Sequence, residues 1–335
     1  MQKILHKMEK IIGIGNALVD VLVRLKDDTL LGQVGLQKGG MTLIDETRQK
    51  ELRAGMEGLH MEQATGGSAG NAMLALARLG GKAGFVGKVG RDALGKFFEE
   101  NCKKVGIDAH LLQCDMPTGV ANTFISPDGE RTFGTLLGAA ATLQAKDITP
   151  ELFEDVGMAH IEGYLVQNHE LMEAICQTAM EQSVQLSLDL ASYNVVAADL
   201  PFFRHLVQDY IDIVFANEEE AAAFTGKKDP SEALREIATY KCLAVVKLGG
   251  KGSMARLGKE EVIVGANRVP VVDTTAAGDF FAGGFLYALN KGESLKECLE
   301  LGTLLAGHVI GVVGTRLPEE TWKSLTLNLS KRRGS

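Results

Sequence analysis

Asp279 closes a segment made almost wholly of small residues, Asp273-Thr274-Thr275-Ala276-Ala277-Gly278-Asp279. A strand expected over Val269–Val272 runs into this segment, and a helix expected over Ala277–Leu289 leaves it. The unpaired N–H groups at a helix start attract anions. Ala276, Ala277 and Gly278 carry too little side chain to obstruct a phosphate there. A carboxylate beside such a hole can accept the proton of an attacking hydroxyl, while the donors hold the charge of a transferring phosphoryl group. A plain capping aspartate would account for one acid. It does not account for two, followed by the glycine-rich run Phe280–Phe285.

Other segments could serve the same chemistry. Gly66-Gly67-Ser68-Ala69-Gly70-Asn71 opens a helix expected over Ser68–Leu79. Its glycines allow close approach of a strand or of a polyhydroxy ligand, with the Asn71 amide one turn in and free to bond hydroxyls. Gly13-Ile14-Gly15-Asn16 follows a short apolar strand. Leu18 stands where a dinucleotide fingerprint needs its third glycine, and Asp20 comes only five residues after Gly15, so that fingerprint fails. The segment is then either a tight turn at a strand end or a place where Asp20 is aimed at a ligand from a sheet's carboxyl edge. The segment Lys247-Leu248-Gly249-Gly250-Lys251-Gly252 lies at a strand end, where Gly249 and Gly252 either bring backbone to nucleotide phosphates or form a simple turn. Asn217-Glu218-Glu219-Glu220 lies where a strand meets a helix. Acids belong in a first helical turn, but Asn217 and Glu220 could also organise the water shell of magnesium. No Gly-Lys pair in the chain is followed by Ser or Thr, which excludes a P-loop. No HExxH or GxSxG occurs, and the seven histidines are scattered.

Composition narrows the classes further. The chain has 335 residues and a net charge of −8, a poor match for nucleic acid or anionic membranes. Hydrophobic residues make up 45% and charged residues 23%, which excludes a disordered chain. Glycine contributes 39 residues without any G-x-y period, so it serves turns, helix ends and close approaches. The five cysteines are odd in number and widely spaced, as expected of reduced thiols in a cytoplasmic protein. Met1–Lys10 lacks the apolar stretch of a signal peptide, no run of 18 apolar residues occurs, and Lys331-Arg332-Arg333 reads as a solvated basic tail over 331–335.

Strands expected at Ile11–Gly15, Gly84–Val89, Met158–Gly163, Val184–Leu190, Ile211–Ala216 and Leu243–Leu248 alternate with helices. These include Asp92–Val105, Asn168–Gln182, Glu218–Thr225, Ser231–Tyr240 and Leu295–Val309. Such alternation implies a mostly parallel sheet with helices on both faces. Two regions break the rhythm and predict a small β layer: about 18–46, and 118–136 with a hairpin turning at Pro127-Asp128-Gly129. No linker divides the chain, so 1–330 reads as one α/β domain with a β lid.

Taken together, these motifs resemble the PfkB, or ribokinase-like, family of sugar and nucleoside kinases over roughly Ile11 to Arg316. The segments Gly66–Gly80 and Asp273–Phe285 match its two signatures. The resemblance implies a ribokinase-like fold with a β lid and an ATP-dependent kinase using Mg²⁺. Asp279 would be the general base, and the backbone of Ala276, Ala277 and Gly278 the anion hole. Asp20, Gly66, Gly67 and Asn71 fall at substrate-contact positions. Asn217 and Glu220 match the N-x-x-E motif that affects magnesium and phosphate use. Lys247, Gly249 and Gly252 match the nucleotide side, and Asp273 and Thr275 fall where some members hold a monovalent cation such as K⁺. Arg131, in the lid, would reach a substrate or a phosphate, or else sit in a solvated turn. Phrases such as Pro127-Asp128-Gly129-Glu130-Arg131 and Leu137-Gly138-Ala139 are similar to bacterial adenosine kinases and fructokinase-like enzymes. Ala276 departs from the glycine of many members, and Val166-Gln167-Asn168 replaces the subgroup's Trp-Asp-Pro. Adenosine and a furanose such as fructose are the expected acceptors, with Phe124, Phe133 and Leu137 either a wall for a base or the core of the lid. A homodimer through the lid fits its strand edges. The competing expectation is a non-catalytic binding or regulatory protein on the same fold.

Overall fold

Fourteen strands form two sheets in a computed structural model that describes residues 10–128 and 130–333. In chain order they are β1 (Lys10–Ile14), β2 (Leu18–Arg24), β3 (Met41–Leu43), β4 (Met61–Gly66), β5 (Ala83–Gly90), β6 (Ile107–Cys114) and β7 (Gly119–Ile125). The series continues with β8 (Arg131–Leu136), β9 (Val156–Glu162), β10 (Gln185–Asp189), β11 (Ile213–Asn217), β12 (Leu243–Lys247), β13 (Ser253–Leu257) and β14 (Glu260–Val264).

The main sheet runs β14-β13-β12-β11-β10-β9-β1-β5-β6. It is parallel except for the antiparallel β12–β13–β14 edge. Its strands read as continuous apolar runs because helices cover both faces. Ile11, Ile213, Phe215, Leu243 and Val245 enter one hydrophobic cluster, while Ile12, Ile14, Val214, Ala216, Ala244 and Val246 enter the other. This is the two-residue period of a strand, read on opposite faces. From β1 the chain builds outward to β5 and β6, then returns to build from β9 in the other direction. The switch point therefore lies between β1 and β9, where open α/β sheets leave a crevice at their carboxyl ends.

The second sheet is the lid, in the order β3-β8-β7-β2-β4. The expected hairpin is β7–β8, paired from Val120↔Leu136 to Ile125↔Arg131. Gly129 of its turn lies outside the described residues, as do Met1–Glu9 and residues 334–335. The fifth lid strand, β4, was not expected, because Met61-Glu62-Gln63-Ala64-Thr65-Gly66 shows no apolar alternation. Pairing with β2 makes it a strand.

Two expectations need correction. Val269–Val272 is not a strand: Val269, Val271 and Val272 are exposed, and Val272 N–H bonds Ile310 O at 2.7 Å instead of a sheet neighbour. Residues 331–333 continue the helix Glu319–Arg333 and are not a separate tail. The region between β2 and β3 contains a short helix, Thr29–Gln33.

Two helices carry the site. Ala277–Asn290 lies against Ser68–Arg78 so closely that a Cβ at Gly283 would stand 2.3 Å from Ala72 O and 2.7 Å from Ala75 Cβ. Only glycine permits that approach. We predict that Gly283→Ala costs about 1–3 kcal/mol of overpacking strain. The expected reading in a thermal melt is a Tm lowered by several degrees.

Candidate active site

A cavity of about 1230 Å³ opens at the carboxyl ends of the main sheet, beneath the lid. Single small-molecule sites usually run about 300–1,000 Å³, so two ligands fit here together. The turn before the helix Ala277–Asn290 forms part of its wall. Ala276 caps that helix in the left-handed region, with φ 60°. Such a conformation strains an L-residue and suits glycine better than alanine. Ala277 N–H reaches back to Thr274 O at 3.3 Å, and Thr275 N–H is taken by Asp273 Oδ1 at 2.7 Å. The N–H groups of Ala276, Gly278 and Asp279 have no acceptor among the described residues.

Asp279 lies in the first turn of the helix and lines the cavity. Its Oδ1 accepts from Ser68 Oγ at 2.7 Å, and its Oδ2 from Asn71 Nδ2 at 3.0 Å. Desolvation pushes its pKa up to about 6, while the two hydrogen bonds hold it down from going further. Asn71 was expected to offer its whole amide to a substrate. One of its two N–H bonds instead holds Asp279. Ser68 was read only as part of the glycine-rich turn; its partner lies 211 residues away, so no local pattern reveals it.

Asp20 lies on β2 of the lid, not on the main sheet's carboxyl edge as expected, and lines the cavity. Burial, then the nearby Asp279, pushes its carboxyl up to about 7. Gly66 and Gly67 are shaped by packing. A Cβ at Gly66 would fall 2.3 Å from Asp20 Oδ1, and one at Gly67, where φ is 84°, 2.1 Å from Asn16 O. Glu162, not foreseen as a site residue, ends β9. It accepts from Asn16 N at 2.8 Å, from Asn16 Nδ2 and from Ala69 N at 3.2 Å, so it ties both glycine turns to the sheet. Burial pushes it up to about 7 against those bonds.

Asn217 and Glu220 form a reciprocal capping box. Asn217 Oδ1 accepts from Glu220 N at 2.8 Å, and Glu220 accepts from Asn217 N and Nδ2, each at 2.7 Å. Their polar atoms serve the start of the helix Glu218–Thr225. No group of three or more His, Cys, Asp or Glu among the described residues is placed to hold a metal ion. Lys247 ends β12 and donates to Asp189 Oδ2 at 2.8 Å. Asp189, like Ser68 and Glu162, is a residue that local sequence did not single out. Gly249 lines the cavity. Gly252 does not, a departure from its expected nucleotide role: at φ 112°, its Cβ would fall 2.0 Å from Val264 O, so its glycine serves the fold of the β12–β13–β14 edge.

Arg131 departs most from its expected place. It does not line the cavity but pairs with Asp273 and donates to Thr275 Oγ1. Asp273 Oδ2 also accepts from Gly314 N. The positive charge beside Asp273 is therefore the lid's guanidinium, at the place expected for a monovalent cation. Of the expected wall, Phe133 and Leu137 line the cavity together with the exposed Met41 and Leu43. Phe124 is fully buried in the core beneath the lid.

The fold and the site define an α/β phosphotransferase with a lid. The model of the pfkB family of carbohydrate kinases matches residues 38–322, and the chain belongs to that family. It is 35% identical to an adenosine kinase from Sinorhizobium meliloti, with a TM-score of 0.84 over 98% of this chain and 100% of that one. It is 34% identical to a probable sugar kinase from Rhizobium etli CFN 42, with a TM-score of 0.86 over 98% and 99%. A 5-dehydro-2-deoxygluconokinase from Halalkalibacterium halodurans is 28% identical over 81% of this chain and 87% of its own. The fold is the expected ribokinase-like one, and the chain is a kinase acting on a hydroxyl group. No described helix is long and apolar enough to cross a membrane.

The Arg131–Asp273 pair yields a prediction. The Asp273 side chain is fully buried and that of Arg131 is 10% exposed. Arg131→Met leaves a buried carboxylate without its cation, at a cost of about 3 kcal/mol. Adding Asp273→Asn should restore much of that loss, measured by chemical denaturation of both variants.

Proposed function

We propose that this kinase transfers the γ-phosphoryl group of ATP to a hydroxyl of a ribonucleoside or sugar, with Asp279 as general base. The observation that carries the reading is the meeting, at a single helix start, of three N–H groups without an acceptor among the described residues and one carboxyl pushed up to about 6. The acceptor hydroxyl gives its proton to Asp279 as its oxygen attacks the γ-phosphorus. ADP leaves on the far side, and the N–H groups of Ala276, Gly278 and Asp279 hold the charge on the phosphoryl oxygens.

Magnesium fits this cavity as a hydrated ion. Carboxylates are abundant, but Asn217 and Glu220 are spent on each other, so these residues would act on it through water. When bound, it would neutralise the triphosphate. A requirement for K⁺ is not favoured, since Arg131 already faces Asp273.

Met41, Leu43, Phe133 and Leu137 favour an acceptor with a flat apolar part, such as adenosine, over a bare furanose such as fructose. A dimer through the lid would use the unpaired edge β4, where Met61 is exposed.

The test is ADP release from Mg·ATP across nucleosides and sugars. We expect Asp279→Asn to keep its melting temperature and lose at least ~100-fold in turnover; near-wild-type turnover would overturn the assignment. A base must be ionised to act. Since Asp279 titrates at about 6, kcat/KM should fall as pH drops through about 6 and level off above it. Ser68→Ala removes a bond to the ionised form and should move that limb to higher pH.

A further inference from the structure

A second cavity, of about 150 Å³, lies between the lid strand β4 and the body of the fold. It shares no lining residue with the large one. The helix Ser68–Arg78 shows Ser68 and Asn71 to the large cavity, and Gly70 and Leu74 to this one. Gln63 and Thr65 of β4 close one side. Phe85, Phe98, Cys102 and Ile107, all buried, form the other.

Packing does not require the glycine that borders this space. A Cβ at Gly66 or Gly67 would collide with a neighbour, at 2.3 Å and 2.1 Å. A Cβ at Gly70 would stand 3.7 Å from Phe85 and 3.9 Å from Phe98, which is ordinary contact, and Gly70 is not among the residues of positive φ. Alanine is also the better helix former. An unfilled void forfeits contacts for every atom around it. A glycine that leaves space where a methyl group fits therefore points to an occupant.

The lining defines the chemistry of that occupant. The Phe85 and Phe98 rings lie 5.4 Å apart and are tilted by 43°, so they offer an edge and a face to a third ring. An apolar cavity of this size takes a benzene-sized ring. Arg316 is the one charged lining residue among those described, and it is spent on Glu62 at 2.7 Å and on the Gln63 carbonyl. Burial pushes the Cys102 thiol up to about 12, which keeps it neutral. Asn101 Nδ2 donates to Phe97 O at 2.7 Å, and its Oδ1 has no donor among the described residues.

We propose that this cavity binds a small uncharged aromatic molecule carrying one hydroxyl or ring N–H, with its ring against Phe85 and Phe98 and its polar end toward Asn101. Such a guest touches β4 and the body at once. β4 runs directly into Gly67 and the helix that carries Ser68 and Asn71, so occupancy ties the lid to the helix that holds Asp279. The site does not depend on the kinase reading.

The probe is phenol. In wild type we expect excess phenol to raise the melting temperature, as any ligand of the folded state does. Nuclear Overhauser contacts should run from its ring protons to Phe85 and Phe98. Cys102→Leu fills the cavity and should abolish the phenol-dependent rise in melting temperature. The contacts to Phe85 and Phe98 are read in wild type, so they decide the matter even if that variant fails to fold. Amides of Met61–Gly66 should exchange more slowly with phenol bound, because the guest restrains β4. Absence of binding, contacts to Phe133 of the large cavity instead, or an undiminished shift in a folded Cys102→Leu would overturn the proposal. Unchanged exchange in β4 with phenol against Phe85 and Phe98 would overturn the tie to the lid.

Discussion

Everything at the cavity depends on holding one carboxylate in a place that disfavours its charge. Desolvation pushes Asp279 toward the neutral acid, and the Ser68 and Asn71 hydrogen bonds pull it back. The balance at about 6 leaves a carboxylate that is ionised at neutral pH yet more basic than an ordinary aspartate. Those donors belong to a helix about 200 residues earlier in the chain. They arrive because Gly283 lets the two helices touch backbone to side chain. The packing of small residues and the basicity of the site are thus one constraint.

A second set of contacts fixes the backbone around that carboxylate. Glu162 gathers Asn16 and Ala69 at the switch point between β1 and β9, so one buried acid aligns both glycine turns. Asp273 takes the Thr275 and Gly314 amides and the Arg131 guanidinium, joining the anion turn, the following loop and the lid. A buried carboxylate with several donors is costly to strand, which makes each cluster rigid. Rigidity matters here because amide donors stabilise charge well only when already aimed.

The cavity is acidic overall, and this shapes how a polyanion can enter. Asp189 and Lys247 form a buried pair, with the Asp189 carboxyl held below its usual range by the lysine against the push of burial. Glu220, buried nearby, is pushed up to about 7.

Much of this was legible in the residues alone. Alternating apolar runs and helix signals predicted the parallel sheet, since burial on both faces leaves a continuous hydrophobic signature. The Asp273–Asp279 turn could be singled out as a candidate phosphate site because such a site needs small residues at consecutive positions, and that is a local property. Helix boundaries at Glu218–Thr225 and Leu295–Val309 were also local, written in their caps and terminal glycine. Tertiary structure alone decided the rest. Met61–Gly66 became a strand only by pairing with β2, and Val269–Val272 failed to become one because no strand lies beside it. Asp20 moved to the lid, Arg131 turned from the cavity to Asp273, and Gly252 proved to serve packing. Ser68, Glu162 and Asp189 gained their places from partners far along the chain. Periodicity and turn chemistry report the nearest few residues, whereas a buried charge is defined by whatever the fold brings against it.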